Sequence, residues 1–360
     1  MAKAYLVLTD GSIFEGNSYG AKGHTTGEVV FNTSMTGYQE MLTDPSYAGQ
    51  ILVLTYPMIG NYGTDNSVEE SAIIQPEGLI VREIAPFGSH VRSKQEIDQF
   101  LYQRKIIAID GVDTRAITKR LRKDGVMAGT ITTDEQPEQA LIRLREADIY
   151  GKTNWVSHVT CKKMYPWNER AEKEFHVVVL DSGVKRNIMR SLDDRGCFVT
   201  VVPSQTTAQE VLDLKPNGIV FSPGPGDPSL LDVQVKEAKL LIGKKPIFGI
   251  CLGHQILARA LGAGTFKLPF GHRGGNHPVK ELETNKVTIT AQNHGYAVDP
   301  DELQSDAFVS HLNVNDSTVE GIAMKTEPLF TIQFHSEASP GPLDSMHIFD
   351  KFIEQMRNNA

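Results

Sequence analysis

The chain has 360 residues, 40% of them apolar, and a formal net charge of −8, which is enough length for two domains with separate cores. No stretch approaches the roughly 20 uninterrupted apolar residues of a membrane span, and Asp10 brings a charge too early for a signal peptide, so a cytoplasmic protein is expected. The acidic balance, without a concentrated basic run, argues against nucleic acid and membrane surfaces as partners, and Cys161, Cys197 and Cys251, with no CxxC pair, fit reduced thiols rather than a disulfide framework or a metal site.

The first 150 residues read as an α+β domain. The apolar runs 4–8 and 13–16 flank Asp10-Gly11, a hairpin signal in which Asp-Gly supplies the positive φ angles of a tight turn. Further β-type runs follow at 28–32 and 51–56, and residues 95–101 and 113–121 read as helices with polar starts. Apolar periodicity then fades, and the charged, proline-broken stretch around Lys162-Lys163-Met164-Tyr165-Pro166-Trp167 places a linker over 151–174.

A different rhythm fills 175–360. Continuous apolar strands are predicted at 176–181, 198–202, 218–221 and 246–250, with helical stretches through 187–192 and around Val211-Leu212. Fully apolar strands alternating with helices imply an α/β domain with a mostly parallel sheet flanked by helices. Ligand sites of such sheets lie beyond the carboxyl ends of the strands.

Three candidate segments sit at such ends. Gly249-Ile250-Cys251-Leu252-Gly253-His254-Gln255 reads as strand, sharp turn and helix, a nucleophile elbow whose glycines leave room around Cys251. The helix N-terminus beyond it favours a thiolate and offers donors to a developing oxyanion. The competing reading is a small buried cysteine, since cysteine is among the most buried residue types. In Thr331-Ile332-Gln333-Phe334-His335-Ser336-Glu337, read as extended, His335 and Glu337 project to one side and form a base with its orienting carboxylate for Cys251. His254, one helical turn beyond Cys251, and His294 are alternative bases without a carboxylate near them in sequence. Ser222-Pro223-Gly224-Pro225-Gly226-Asp227-Pro228 is either a rigid turn or a loop whose backbone completes an oxyanion hole, and it lacks the Gly-Lys-Ser/Thr ending of a phosphate loop.

These three segments resemble the signatures of triad-type, class I glutamine amidotransferases. Phe31-Asn32-Thr33-Ser34-Met35-Thr36-Gly37-Tyr38-Gln39-Glu40, Leu42-Thr43-Asp44-Pro45-Ser46-Tyr47, Thr55-Tyr56-Pro57-Met58-Ile59-Gly60-Asn61-Tyr62-Gly63, Gly111-Val112-Asp113-Thr114-Arg115 and Val184-Lys185-Arg186-Asn187-Ile188 resemble the carbamoyl-phosphate synthase small-subunit family, so the likeness spans nearly the whole chain. The resemblance implies Cys251 as nucleophile, His335 as general base and acid, and Glu337 as its orienting carboxylate. It implies glutamine binding by Ser46, Gly224, Gly226, Leu252, Gln255, Asn293, Gly295 and Tyr296. Pro223 stands where asparagine is common in the family, and Tyr296 where phenylalanine is common.

The resemblance further implies that ammonia released from glutamine passes to a large subunit, which makes carbamoyl phosphate from bicarbonate and two ATP for pyrimidine and arginine biosynthesis. No cofactor is then expected on this chain, and ATP and Mg belong to the large subunit. A heterodimer is expected, with a higher oligomer of heterodimers left open. The rival readings are a stand-alone cysteine γ-glutamyl hydrolase, which needs no partner, and a non-catalytic assembly subunit, against which Cys251, His335 and Glu337 together weigh.

Overall fold

The computed structural model describes residues 2–147, 150–169 and 172–359. The chain divides into two compact units, Met1–Thr153 and Asn154–Ala360. Of the expected domain limits and linker, residues 1, 148–149, 170–171 and 360 lie outside the described residues.

The first unit contains β1 (Lys3–Leu8), β2 (Ile13–Gly20), β3 (His24–Asn32), α1 (Tyr38–Thr43), β4 (Gln50–Leu54), β5 (Met58–Ile59), β6 (Gly78–Ile80), β7 (Glu83–Ile84), α2 (Ile97–Gln103), β8 (Ile107–Asp110), α3 (Thr114–Asp124), β9 (Met127–Thr132) and α4 (Pro137–Glu146). Seven of these strands close into a barrel in the order β1-β2-β8-β6-β4-β3-β9, so each of them has a neighbour on both sides. The hairpin expected at Asp10-Gly11 joins β1 to β2, but only Gly11 takes positive φ, at 87°. Asp10 instead folds its carboxylate back to accept the Ser12 N–H at 2.8 Å, closing the turn through a side chain. Asp113 caps α3 by accepting the Ala116 N–H at 2.9 Å, which is why a helix starts there.

The second unit contains α5 (Val156–Val159), β10 (Tyr165–Pro166), β11 (Phe175–Asp181), α6 (Arg186–Asp193), β12 (Cys197–Pro203), α7 (Ala208–Asp213), β13 (Gly218–Phe221), α8 (Asp232–Leu241), β14 (Ile247–Ile250), α9 (Leu252–Ala260), β15 (Gly264–Glu281), β16 (Val287–Asp299), β17 (Ala307–Asn313), β18 (Val319–Met324), β19 (Leu329–Ile332) and α10 (His347–Asn358). Part of the stretch expected as linker therefore carries structure, since α5 packs Val156 into the core and β10 pairs with β12. The sheet runs β10-β12-β11-β13-β14-β19-β18-β16-β15-β17. Strands β12, β11, β13, β14 and β19 are parallel, as the unbroken apolar runs require, and β18, β16, β15 and β17 extend the sheet as an antiparallel arm.

Alternation along the parallel strands builds two cores. Val178 and Leu180 of β11, with Ile219 and Phe221 of β13, face Val211, Val235, Leu241 and Leu257 of α7, α8 and α9. Val177, Val179, Val220 and Phe248 face Ile188 and Leu192 of α6 and Phe349 and Phe352 of α10. Phe248 stacks on Phe330 at 4.8 Å and meets the edge of Phe349 at 5.6 Å. Each fully buried side chain of this kind contributes about 1.5–3 kcal/mol, and burial on both faces fixes which strand ends are free to carry a site.

Candidate active site

Strand β14 ends at Ile250, and Cys251 takes φ 52°, ψ −105° before α9 begins at Leu252. Holding a non-glycine residue at positive φ costs about 1–3 kcal/mol, so something must fasten it. The Cys251 N–H donates to the Ile332 carbonyl at 2.8 Å, continuing the β14–β19 ladder past its last paired residue, and the Gln255 N–H closes the first turn of α9 on the Cys251 carbonyl at 3.1 Å. The thiol is buried, within 3.7 Å of the Asn293 carbonyl, and Gln333 Nε2 donates to its sulfur at 3.6 Å.

The glycines of the elbow are required by close approach. A Cβ on Gly253 would lie 2.1 Å from the Phe221 carbonyl oxygen of β13, and one on Gly249 would lie 2.5 Å from Leu257 Cδ1. Gly253→Ala must therefore push α9 away from the sheet, and we expect it to lose about 1–3 kcal/mol in denaturant unfolding and to slow alkylation of Cys251. Gly264→Ala is the control. Its Cβ would sit 3.5 Å from Asp299 Cβ, an ordinary contact, and it should cost under about 0.5 kcal/mol. Equal stability of the two variants would show that the elbow is not held by this approach.

His335 and Glu337 meet, though not through strand alternation. Strand β19 stops at Ile332, His335 forms a single bridge with Ala291, and a turn closed by the Ala338 N–H on the His335 carbonyl brings Glu337 back. The extended reading of 333–337 is thereby corrected. His335 Nδ1 lies 2.6 Å from Glu337 Oε1, and His335 Nε2 makes no hydrogen bond. The same carboxylate oxygen receives the buried Lys185 ammonium at 2.9 Å, while Lys185 Nζ also donates to the Ala338 carbonyl at 2.5 Å and Asn187 Nδ2 to the Glu337 carbonyl at 2.6 Å.

These contacts set the charge state. Burial pushes the Glu337 carboxyl up, but Lys185 and His335 outweigh it and hold the group well below the usual carboxylate range. Burial pushes His335 down, yet Glu337 carries it above ordinary histidine, with Lys185 opposing and the nearby Cys251 sulfur adding to the rise. The result is an ionised carboxylate that makes His335 a stronger proton acceptor, with Cys251 as its neighbour. His254 differs. Its Nδ1 lies 2.7 Å from Thr331 Oγ1, and burial holds it down to about 3, so it is a neutral core histidine. His294 spends Nδ1 on the Tyr296 carbonyl at 2.7 Å.

Of the remaining residues of interest in this unit, Gly224, Gln255 and Asn293 have contacts with the elbow or its helix. Gly224 packs against Leu252 and the Ser182 carbonyl so closely that a Cβ would lie 2.9 Å from Leu252 Cδ2 and 2.1 Å from that oxygen. Gly226 takes φ 93°. Gln255 Nε2 donates to the Tyr296 carbonyl at 2.8 Å and to Gln333 Oε1 at 2.9 Å, and Asn293, Gly295 and Tyr296 lie on β16. Ser46 belongs to the first unit, in the 3₁₀ turn Pro45–Tyr47, where its N–H is capped by Asp44 and its buried hydroxyl makes no hydrogen bond. Sequence reasoning gave no role to Lys185, Asn187 or Gln333. The first two fall in the Val184-Lys185-Arg186-Asn187-Ile188 segment, but only the fold brings that segment to Glu337.

Comparison with known proteins agrees with this arrangement. Residues 6–131 match the family model described as "Carbamoyl-phosphate synthase small chain, CPSase domain", and residues 178–355 match "Glutamine amidotransferase class-I". The chain is 46% identical to a carbamoyl phosphate synthase small chain of Syntrophotalea carbinolica, over 99% of this chain and 98% of that one. It is 49% identical to the small chain of Akkermansia muciniphila, over 97% and 96%. It is 48% identical to the carbamoyl phosphate synthase pyrimidine-specific small chain of Bacillus subtilis, over 98% and 96%. The chain thus belongs to the carbamoyl-phosphate synthase small chain family and is, through its class I amidotransferase domain, the glutamine-hydrolysing subunit of that enzyme.

Proposed function

We propose that Cys251, His335 and Glu337 release ammonia from glutamine and that the ammonia is channelled to the large subunit. The observation that carries this reading is the His335–Glu337 pair at 2.6 Å, with His335 Nε2 unpartnered beside the Cys251 thiol. His335 takes the thiol proton, and the sulfur attacks the side-chain carbonyl carbon of glutamine. The C–N bond then breaks as His335 returns the proton to nitrogen, leaving a glutamyl thioester and ammonia. Water, deprotonated by His335, cleaves the thioester to glutamate and restores the thiol.

The backbone N–H of Leu252, in the first turn of α9, is assigned to the developing oxyanion, and Gly224 packs against the Leu252 side chain. Gln255, Asn293 and Tyr296 are assigned to the substrate's polar ends on their contacts with the elbow and its helix, and Gly226, Gly295 and Ser46 on the family resemblance. The large subunit holds ATP and Mg and consumes bicarbonate, and the complex works in the cytoplasm. The product feeds pyrimidine and arginine synthesis; the name of the Bacillus subtilis relative supports the pyrimidine branch.

The test is coupling. A glutamine-mimicking electrophile should label Cys251 alone, and glutaminase turnover should be slow for the isolated chain and rise when the large subunit, bicarbonate and ATP are added. Full turnover without a partner would instead identify a stand-alone γ-glutamyl hydrolase.

A further inference from the structure

Beside the elbow, the antiparallel arm brings together three residues that the proposed chemistry does not use. His272 on β15, His294 on β16 and Glu320 on β18 are buried, and one ligand-type atom from each lies within 4.8 Å of the other two.

Hydrogen bonding fixes which nitrogens carry protons. His272 Nε2 lies 2.8 Å from Asp316 Oδ2, and His294 Nδ1 lies 2.7 Å from the Tyr296 carbonyl oxygen. Both oxygens only accept, so both of these nitrogens donate. With one nitrogen of each ring donating, the other is the position open to a proton or a metal. Those nitrogens, His272 Nδ1 and His294 Nε2, make no hydrogen bond.

Glu320 adds a third acceptor. Its oxygens receive Asn313 Nδ2 and Gln292 Nε2, each at 2.8 Å, and Oε1 stands 3.8 Å from His272 Nδ1. A proton satisfies one contact and leaves a buried nitrogen orphaned. A divalent ion satisfies all three atoms at once.

We propose that His272, His294 and Glu320 form a binding site for a divalent transition metal, with Zn²⁺ the fitting ion for two imidazoles and one carboxylate. Metal–nitrogen bonds of about 2.0–2.1 Å in a tetrahedral site place ligand atoms roughly 3.3–3.4 Å apart. The 3.8 Å separation thus closes by about half an ångström, and no separation in the cluster, all within 4.8 Å, closes by more than about 1.5 Å. The outer contacts are those a metal site uses. Asp316 and the Tyr296 carbonyl fix the two tautomers, and the amides of Asn313 and Gln292 hold the carboxylate. Gln292 Oε1, on the amide that already bonds Glu320, has no partner and is a candidate fourth ligand. The ion ties β15, β16 and β18 together next to Asn293, whose carbonyl contacts the Cys251 sulfur.

The experiment uses the full chain as a Cys251→Ser variant, so that the thiol cannot serve as a ligand. After chelation it is dialysed against Zn²⁺ and against Co²⁺, and metal content, thermal midpoint and visible absorption are read. One Zn²⁺ per chain, a raised midpoint and intense tetrahedral Co²⁺ bands are expected. His272→Asn and Glu320→Gln should each abolish these signals, and Asp316→Asn should weaken binding about 10–100-fold. A folded parent that retains no more metal than a His272→Asn/His294→Asn variant, or Co²⁺ bands unchanged from the aqueous ion, overturns the proposal. If the cluster variants do not fold, the parent's stoichiometry and the half-exposed Asp316 decide it.

Discussion

Replacing Cys251 by alanine is expected to reduce glutamine-dependent carbamoyl phosphate synthesis by about 10⁴-fold or more, while synthesis from added ammonia stays within about twofold. The size follows from the loss of the covalent route, because Gln333 and the Asn293 carbonyl, which touch the sulfur, contribute an amide and a carbonyl but no nucleophile. The other thiols do not substitute. Burial pushes Cys161 and Cys197 each up to about 12, with Asp181 adding to the rise at Cys161, and Cys197 opens β12 beside β11 and is buried in the core. The two nitrogen sources, assayed on one preparation with the large subunit, separate the outcomes. Loss of both activities would assign Cys251 to assembly, and retained glutamine turnover would require a different nucleophile.

The elbow was legible because its determinants are local. Two glycines, an apolar strand and an apolar helix stand in one short segment, and the 2.1 Å approach of Gly253 to Phe221 is the reason that spacing is needed. Four of the five parallel strands were legible for a similar reason, since burial on both faces writes an unbroken apolar run. The barrel was not, because its closure depends on pairings such as β2 with β8 and β1 with β9, which join distant segments. The antiparallel arm is interrupted by register shifts between Lys267 and His272 and between Gly274 and His277, which break the alternation a strand would show in sequence. His294 stood out in sequence only as an alternative base, and its grouping with His272 and Glu320 was invisible because three strands supply one residue each. Lys185 is the clearest case. A lysine at a helix N-terminus reads as a solvated charge, and only the fold buries it against a carboxylate 152 positions away in chain order, with the next two carbonyls, of Ala338 and Ser339, also accepting from it.

That buried ammonium carries the second large prediction. Lys185→Met keeps most of the volume but leaves the ionised Glu337 with His335 alone, and stripping one partner from a buried pair costs about 3–5 kcal/mol. Lys185→Met/Glu337→Gln should recover much of that loss, because no buried charge is left, while glutamine turnover stays low because Gln does not hold the imidazole as a carboxylate does. The pH dependence has a definite sign. Glu337 is depressed in the folded state, so its contribution is present above its unfolded value near 4.3 and is lost as pH falls through the lower folded value. His335 is raised, so its contribution is complete below about 6.5 and is lost as pH climbs through the higher folded value. The gap between wild type and Lys185→Met in urea unfolding should therefore be wide at neutral pH, begin to shrink below about pH 4 as the unfolded carboxyl takes up its proton, and close only as pH falls through the lower folded value of Glu337, where the lysine loses its counter-charge. A Met variant within about 0.5 kcal/mol of wild type at neutral pH, or a double variant less stable than the single, would show that Lys185 is not what keeps Glu337 ionised.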